Sequence, residues 1–297
     1  MTSDRRGSTG TALLAVAAAA ALFGTTGTAA ALGPDDLSPV TAGVWRSVVG
    51  GLALLAVTIA RGEAPWRYPA RPGVTLLGGV AVAAYQLTFF EAVDRTGVAI
   101  GTLVTIGVGP AVAGIIDAVT GRHRPTVHWF AGATLAVAGV ALLSGAGDDI
   151  DPGGLALAVF AGASFPVYGF AAQRLMTDRP VVPSMTTVFG VGAVLVLPVA
   201  LASSAEAFAS AGSVATVLYL GLATLALAYV LWGVGLRSLR LSVVVVVTLL
   251  EPAVAATLAV LVLDEALTIA LAAGVVLVAC GVVLASRGAE DEPQPAR

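Results

Sequence analysis

The sequence has 297 residues, of which 58% are hydrophobic and 11% are charged. Soluble domains carry about 25% charged residues, so this chain has too few charges to cover a soluble surface. Its net charge is −3, and its single cysteine, Cys280, excludes an intrachain disulfide. The composition therefore predicts an integral membrane protein.

Ten apolar segments follow one another along the chain, each long enough to cross a bilayer as a helix. Their approximate bounds are 11–32, 39–60, 72–93, 98–119, 127–144, 154–173, 183–203, 212–236, 242–262 and 268–286. The first segment also resembles a secretory signal, with Arg5 and Arg6 before an Ala-rich core. We favour a membrane span, because cleavage would leave the sixth segment without a partner in the internal repeat.

The charges of the loops predict the orientation of these segments. If the N-terminus is cytoplasmic and ten spans alternate, thirteen Arg residues lie on the cytoplasmic side and Arg95 alone lies outside. The outside loops carry Asp and Glu instead. Because basic loops stay in the cytoplasm, we expect a multi-pass protein of the inner or plasma membrane with both termini cytoplasmic.

An internal repeat divides the chain into two halves. At an offset of 142 residues, Gly109–Gly114 falls on Glu251–Ala256, and Gly139 falls on Gly281. Five helices are an odd number, so two copies of a five-helix unit face opposite ways in the membrane. This architecture is typical of alternating-access transporters, whose substrate site lies near the midplane. The predicted fold is all-α, with ten transmembrane helices in two inverted repeats, 1–145 and 146–286, and a short cytoplasmic tail, 287–297.

Short motifs in both halves resemble those of a known family. They are Leu22–Gly27, Ala92–Thr96, Gly109-Pro110, Leu231–Ser238, Glu251–Ala255 and Asp264–Thr268. Their order and spacing resemble the drug/metabolite transporter superfamily, specifically the EamA-type ten-helix exporters. The resemblance implies export of a small metabolite, such as an amino acid. The chain departs from the family pattern at Phe23, where Trp is common, and at Arg122-His123, where an acidic residue is common.

Glu251 is the main candidate for chemistry, since it lies near the middle of the segment 242–262. A carboxylate at bilayer depth is costly and marks a functional site by default. Pro252 lacks a backbone N–H and opens the helix beside it, and Pro110 is its equivalent in the first half. Thr248 lies one turn before Glu251 on the same face. The alternative is a protonated, structural Glu251 that hydrogen-bonds to a neighbouring helix.

Further polar and aromatic residues lie near the predicted midplane. They are Phe23, Tyr85, Gln86, Thr105, Phe165 and Tyr168. Aromatic rings with a few polar groups suit a pocket for a small amphiphilic molecule. For each of them, packing against lipid or another helix is an equally good interpretation.

Three charged residues lie inside predicted spans, away from the midplane. Arg46 and Glu91 lie near the outer ends of the second and third spans, and we predict an ion pair between them that acts as an outer gate. The alternative is that each reaches the headgroups separately. Asp117, near the cytoplasmic end of the fourth span, is expected to pair with Arg122 or Arg124 in a structural role.

These features together predict a secondary active transporter of a small molecule in a lipid bilayer, working as a monomer or homodimer, and not an enzyme. We favour the proton gradient as the driving force. The chain has no phosphate-binding loop for ATP, and we expect no cofactor, metal or nucleic acid. Two alternatives stay open: a membrane-embedded enzyme that acts on a lipid-linked substrate, and a passive facilitator of the same fold.

Overall fold

Backbone polar groups find no water in a bilayer, so each apolar segment must satisfy them internally as a helix. The computed structural model describes residues 2–120, 126–144, 151–264, 266 and 268–290, without side chains at 2–8, 97–100, 144 and 287–290. Within these residues the fold is all-helical. The α-helices are α1 Thr2–Ala31, α2 Pro39–Ala60, α3 Pro72–Val119, α4 Val127–Ser144, α5 Pro152–Leu175, α6 Val181–Ala202, α7 Ser204–Ala207, α8 Ala211–Gly221, α9 Ala228–Ser238, α10 Leu241–Thr248, α11 Leu250–Val262 and α12 Ile269–Glu290.

Nine stretches of the described residues are long and apolar enough to cross a membrane. They are Thr9–Ala31, Pro39–Ala60, Pro72–Thr96, Gly101–Val119, Pro152–Leu175, Val181–Ala202, Ala211–Ser238, Leu241–Val262 and Ile269–Ser286. The predicted fifth span corresponds to Val127–Leu143, which is apolar but shorter than the others. The chain is therefore a multi-pass membrane protein, with nine of the predicted spans found at full length in the described part.

The loop predicted between the third and fourth spans is wrong, because α3 stays helical through it. The backbone nevertheless reverses direction there. A Cβ atom placed on Gly101 would lie 3.1 Å from the Cα atom of Val93. Eight residues of a straight helix would separate these positions by about 12 Å. We conclude that α3 is a helical hairpin, and each of its arms is one of the predicted spans.

The two predicted helix breaks have different outcomes. The helix α3 continues through Pro110, so the break predicted there is wrong. Near Pro252 the chain does change conformation, since α10 ends at Thr248 and α11 begins two residues later. Between them the N–H group of Leu249 bonds to Val246 O at 3.0 Å, in a tightened turn. Pro252 has no N–H to offer the Thr248 carbonyl four residues earlier, which is the physical reason for this junction.

A stretch of π-helix, Leu222–Leu227, joins α8 to α9 within one span. The N–H group of Ala228 bonds to Ala223 O, five residues earlier. This register skips the carbonyl of Thr224, which an ordinary α-helix would use. Such π segments leave a carbonyl for another partner and are frequent at functional sites.

Glycines bring α4 and α12 into backbone contact. A Cβ on Gly132 would lie 2.5 Å from Gly281 O, and one on Gly139 would lie 2.8 Å from Gly274 O. Residue numbers rise along α4 as they fall along α12, so the two helices are antiparallel. Larger side chains would hold these backbones apart, so the glycines determine the pairing.

Similar close contacts join α2 to the π-containing span and α6 to α3. A Cβ on Gly50 would lie 2.9 Å from Gly221 O, and one on Gly192 would lie 3.4 Å from Gly79 O. At the offset of 142 residues, Gly50 corresponds to Gly192. Gly79 likewise corresponds to Gly221. The second contact is therefore the first with the two halves of the chain exchanged.

Candidate functional site

A cavity lies between α3, α5, α10 and α11, beside the junction that precedes Pro252. It encloses about 30 Å³ in which the centre of a water molecule fits. This is room for about two waters. Its lining includes five of the predicted site residues and is formed by Tyr85, Thr105, Ile106, Gly109, Phe165, Val245, Thr248, Leu249 and Glu251.

The carboxylate of Glu251 enters this cavity from the first turn of α11. Within the described part of the chain it has no hydrogen bond and no ion pair. The helix α1 packs closely behind it, since a Cβ on Gly24 would lie 2.7 Å from Glu251 O. Arg46 is the cation whose charge acts on the carboxylate. Glu251 is thus an acid at a helix junction, partly buried and free to bind a proton or a cationic group.

Aromatic rings form the wall of the cavity and the layer behind it. The ring centroids of Tyr85 and Phe165 lie 6.1 Å apart, and those of Phe165 and Tyr168 lie 5.3 Å apart. Behind them, the hydroxyls of Tyr168 and Tyr229 share a hydrogen bond of 2.6 Å. Phe165 also packs against Trp232, with centroids 5.2 Å apart. These contacts make a rigid aromatic surface that carries a few hydroxyl groups.

Tyr229 and Trp232 belong to this layer, although the sequence analysis did not single them out. Trp232 is fully buried, and its Nε1–H donates to Thr248 Oγ1 at 3.0 Å. This bond orients the threonine that lines the cavity. Tyr229 and Trp232 are three residues apart and share a helix face, in the same spacing as Phe165 and Tyr168. That repeated spacing is the sequence signal that could have found them.

Three other predicted site residues lie in different positions. Thr105 lines the cavity while its hydroxyl donates to Ala158 O at 3.1 Å. Phe23 lies outside the lining and packs against Tyr229, with ring centroids 4.9 Å apart. Gln86 is buried and donates through Nε2 to the Ser47 hydroxyl on α2. The structure therefore places Phe23 and Gln86 in the supporting packing.

The predicted ion pair between Arg46 and Glu91 is wrong. Glu91 pairs with Arg95, one helical turn later, at 2.7 Å. Arg46 is 7% exposed, and its Nη2 donates to Thr224 O at 2.8 Å. The π segment frees this carbonyl, and it attracts the guanidinium inward. Sequence alone does not show this partner, because it depends on a register shift in a helix 178 residues away.

Asp117 also has a different partner from those predicted. Its Oδ2 accepts the N–H of Ser242 at 2.9 Å, and so it caps the first turn of α10. Trp129 Nε1–H donates to Ser242 O at 3.2 Å from the other side. The predicted partners Arg122 and Arg124 lie outside the described residues. Asp117 thus fixes the start of the helix that ends at the cavity.

Comparisons with known proteins agree with this all-helical fold. The sequence model of the EamA-like transporter family matches residues 10–145 and 152–287. A protein of Bacillus subtilis (strain 168) named "Uncharacterized transporter YwfM" is 34% identical over 278 residues, covering 92% of this chain and 93% of the relative. A solved structure described as "Crystal structure of protein" superposes with a TM-score of 0.81 at 22% identity, over 94% of this chain and 97% of that one. The chain therefore belongs to the EamA-like transporter family of the drug/metabolite transporter superfamily.

Proposed function

We propose that this membrane transporter is a secondary active exporter of a small metabolite, driven by the proton gradient, with Glu251 as the residue that binds the coupled proton. The observation that carries the proposal is the Glu251 carboxylate, which enters an aromatic cavity and has no partner among the described residues. An acid inside a transporter is the usual carrier of a proton. Tyr85, Thr105, Phe165 and Thr248 contact the substrate in this proposal.

Alternating access is the second part of the proposal, with residues 1–145 and 146–286 as inverted repeats. The contact between α4 and α12 supports it. At the offset of 142 residues, Gly132 corresponds to Gly274 and Gly139 to Gly281, so each glycine contacts the equivalent of the other. A contact with this exchange symmetry is what a two-fold axis between the halves produces.

A contact between α2 and α6 lies where such an axis would pass. A Cβ on Gly51 would lie 2.9 Å from the Cβ of Ala193, and these residues are equivalent at the same offset of 142. The two matches of the family model, one in each half, also support the repeat. Two states related by this symmetry would open the cavity to opposite sides of the membrane in turn.

The present cavity is closed around space for about two waters, so a metabolite enters only when its walls separate. The contacts beside it come in equivalent pairs. Gly24 of α1 contacts Val254 of α11, with a Cβ distance of 2.8 Å, and Gly162 of α5 contacts Val108 of α3 at 2.9 Å. We propose that opening separates one of these pairs at a time. The protein would lie in the cell membrane with both termini cytoplasmic, as its Arg distribution indicates.

Counterflow in proteoliposomes tests the role of Glu251. Vesicles are loaded with a mixed panel of metabolites, and uptake of each labelled compound is measured with and without a pH gradient. We expect the gradient to accelerate at least one compound in the wild type. Glu251→Gln should lose this acceleration and keep simple exchange, because glutamine retains the shape of the side chain but binds no proton.

Glu91→Gln is the matched control, since the Glu91 carboxylate pairs with Arg95 away from the cavity. It should respond to the gradient like the wild type. If Glu251→Gln also responds like the wild type, Glu251 is structural and the coupling proposal is wrong. If well-folded protein moves no compound of the panel under either condition, the proposal of metabolite export is rejected.

A further inference from the structure

Arg46 is a cation buried within a membrane-spanning helix. Its side chain is 7% exposed. A guanidinium has five N–H donors and no acceptor. Nη2 donates to Thr224 O at 2.8 Å, whereas Nε is buried and has no hydrogen-bond partner in the described part of the chain. Keeping a charge at this depth is costly, so such a residue normally serves a site.

Other arginines of the chain show what Arg46 lacks. Arg71 bonds to the carboxylate of Asp178 at 2.6 Å, and Arg95 bonds to that of Glu91 at 2.7 Å. Both pairs lie near the surface, where water already lowers the cost of the charge. Arg46 lies deeper, and its hydrogen-bond partner is a neutral carbonyl. A carbonyl dipole offsets the desolvation of a guanidinium less well than a carboxylate does.

The charge of Arg46 acts on the groups around the cavity. It interacts electrostatically with Glu251 and with the hydroxyls of Tyr85, Tyr168 and Tyr229. The cavity is therefore flanked by one cation, on α2, and one carboxylate, on α11. The two charges come from opposite halves of the chain, and the described structure gives no direct bond between them.

We propose that Arg46 binds the anionic group of the substrate, across the aromatic cavity from Glu251, which faces a cationic group. The inference rests on the proposed transport function. It assigns the substrate class as zwitterions that carry a carboxylate and an ammonium group. Arg46 lies beyond the present lining, so the site reaches it when the cavity opens to admit the substrate.

Charge balance selects this class over simpler ions. The site is neutral when Glu251 is ionised beside Arg46. A monoamine or a monoacid would add a net charge in a medium of low dielectric constant, where an unbalanced ion is strongly disfavoured. A zwitterion adds no net charge and supplies a partner for each residue. The guanidinium can also bind a carboxylate through two parallel N–H groups.

Sets of matched compounds test the proposal on the wild-type protein. Each set contains an amino acid, the amine that lacks its carboxylate and the acid that lacks its ammonium group. Leucine, 3-methylbutylamine and 4-methylpentanoate form one set, and each of the other proteinogenic amino acids that has such analogues forms another. Binding is measured by the rise in the thermal unfolding midpoint of the purified protein. We expect at least one amino acid to bind, about 10- to 100-fold more tightly than its own amine or acid.

Variants of Arg46 test the residue itself. Arg46→Gln should bind that amino acid about 10- to 100-fold more weakly and lose the preference over the amine, which never used the guanidinium. Arg46→Lys keeps the charge and should restore part of the affinity. Arg95→Gln is the matched control, because it removes a surface Arg from an ion pair, and it should bind like the wild type.

Three results would overturn the proposal. They are equal binding of an amine and its parent amino acid in the wild type, wild-type affinity and preference in Arg46→Gln, and no binding of any amino acid by well-folded protein. These results differ from failure of the proposed function. A monoamine that moves under a pH gradient would preserve transport and reject the role of Arg46, whereas no gradient-driven flux of any compound would reject the proposed function.

Discussion

Two buried tyrosines behind the cavity share a single hydrogen bond between their side-chain hydroxyls. Tyr168 is 1% exposed and Tyr229 is 5% exposed, so water offers neither of them a replacement. Removal of one hydroxyl leaves the other buried without its partner, whereas removal of both leaves no unsatisfied group. The cost of a hydrogen bond in such a place depends mainly on what is left behind.

We predict that Tyr168→Phe and Tyr229→Phe each lower the free energy of unfolding by about 1–3 kcal/mol. The double variant should lose less than the sum of the two single losses, because no buried hydroxyl remains without a partner. Thermal unfolding in detergent, analysed as a double-mutant cycle, measures this coupling. Strictly additive losses would contradict the role of the shared bond.

Glu206 of α7 is the best-connected carboxylate outside the membrane spans. It accepts hydrogen bonds from the backbone N–H of Ser38 and, at 2.7 Å, from the hydroxyl of Thr41. Burial raises the pKa of Glu206, but the bonds from Thr41 and Ser38 outweigh this effect and leave the pKa below its usual 4.5. Glu206 thus ties the start of α2 to the segment after α6.

This lowered pKa fixes the sign of a pH effect. The ionised Glu206 stabilises the fold above about pH 4.5, the pKa of an unfolded Glu, and the gain is lost as the pH falls through the lower folded pKa. We expect Glu206→Gln to unfold at a lower temperature than the wild type at pH 7. The difference should shrink as the pH is lowered from 5 towards 3. A difference that stays constant over this range would show that the carboxylate charge is not involved.

At the scale of elements, backbone contacts at glycine decide which helices pair. The pairing of α4 with α12 depends on positions where a methyl group would meet main-chain atoms, which cannot change rotamer to make room. Gly139 is the clearest case, since its Cβ would lie 2.7 Å from Val278 N and 2.8 Å from Gly274 O. Such crowding forces the helices apart.

We predict that Gly139→Ala lowers the free energy of unfolding by about 1–3 kcal/mol, measured by thermal unfolding in detergent. Gly190→Ala in α6 is the matched control, because a Cβ there would meet nothing within 4 Å. The control should be neutral or slightly stabilising, since alanine favours helix over glycine by about 1 kcal/mol. Equal effects of the two substitutions would contradict close packing at Gly139.

At the scale of the whole molecule, orientation in the membrane connects the fold to the direction of transport. Ala70, before α3, and Ala209, after α7, are both exposed, and they lie in loops predicted on opposite sides. The single cysteine, Cys280, is replaced by alanine to provide a background. Ala70→Cys and Ala209→Cys are then labelled in intact cells with a membrane-impermeant maleimide.

We expect the cysteine at position 209 to react in intact cells and the one at position 70 to react only after permeabilisation. The reason is the concentration of Arg in the loops on the side of position 70. Labelling in the opposite order would place both termini outside the cell. Labelling of both positions in intact cells would show that the two loops lie on the same side.

Much of the fold was predictable, because hydropathy and internal repetition are properties of the linear chain. The spans follow from segment lengths, and Glu251 stands out as an acid within an apolar run. The site was predictable only in part. Tyr85, Thr105, Phe165, Thr248 and Glu251 do meet at one cavity, but Phe23 and Gln86 lie outside its lining, and Tyr229 and Trp232 were missed. Which face of each helix points inward depends on neighbours that a single helix does not specify.

The sequence by itself determined the membrane class, the family and the intramembrane acid. Only the tertiary structure decided the partners of the charged residues: Arg46 bonds to a carbonyl that a π segment frees, Glu91 pairs within its own helix turn, and Asp117 caps α10. The physical reason is range. Apolar length acts within one segment, whereas the partner of a buried charge is chosen by helices that meet after more than 100 residues of intervening chain.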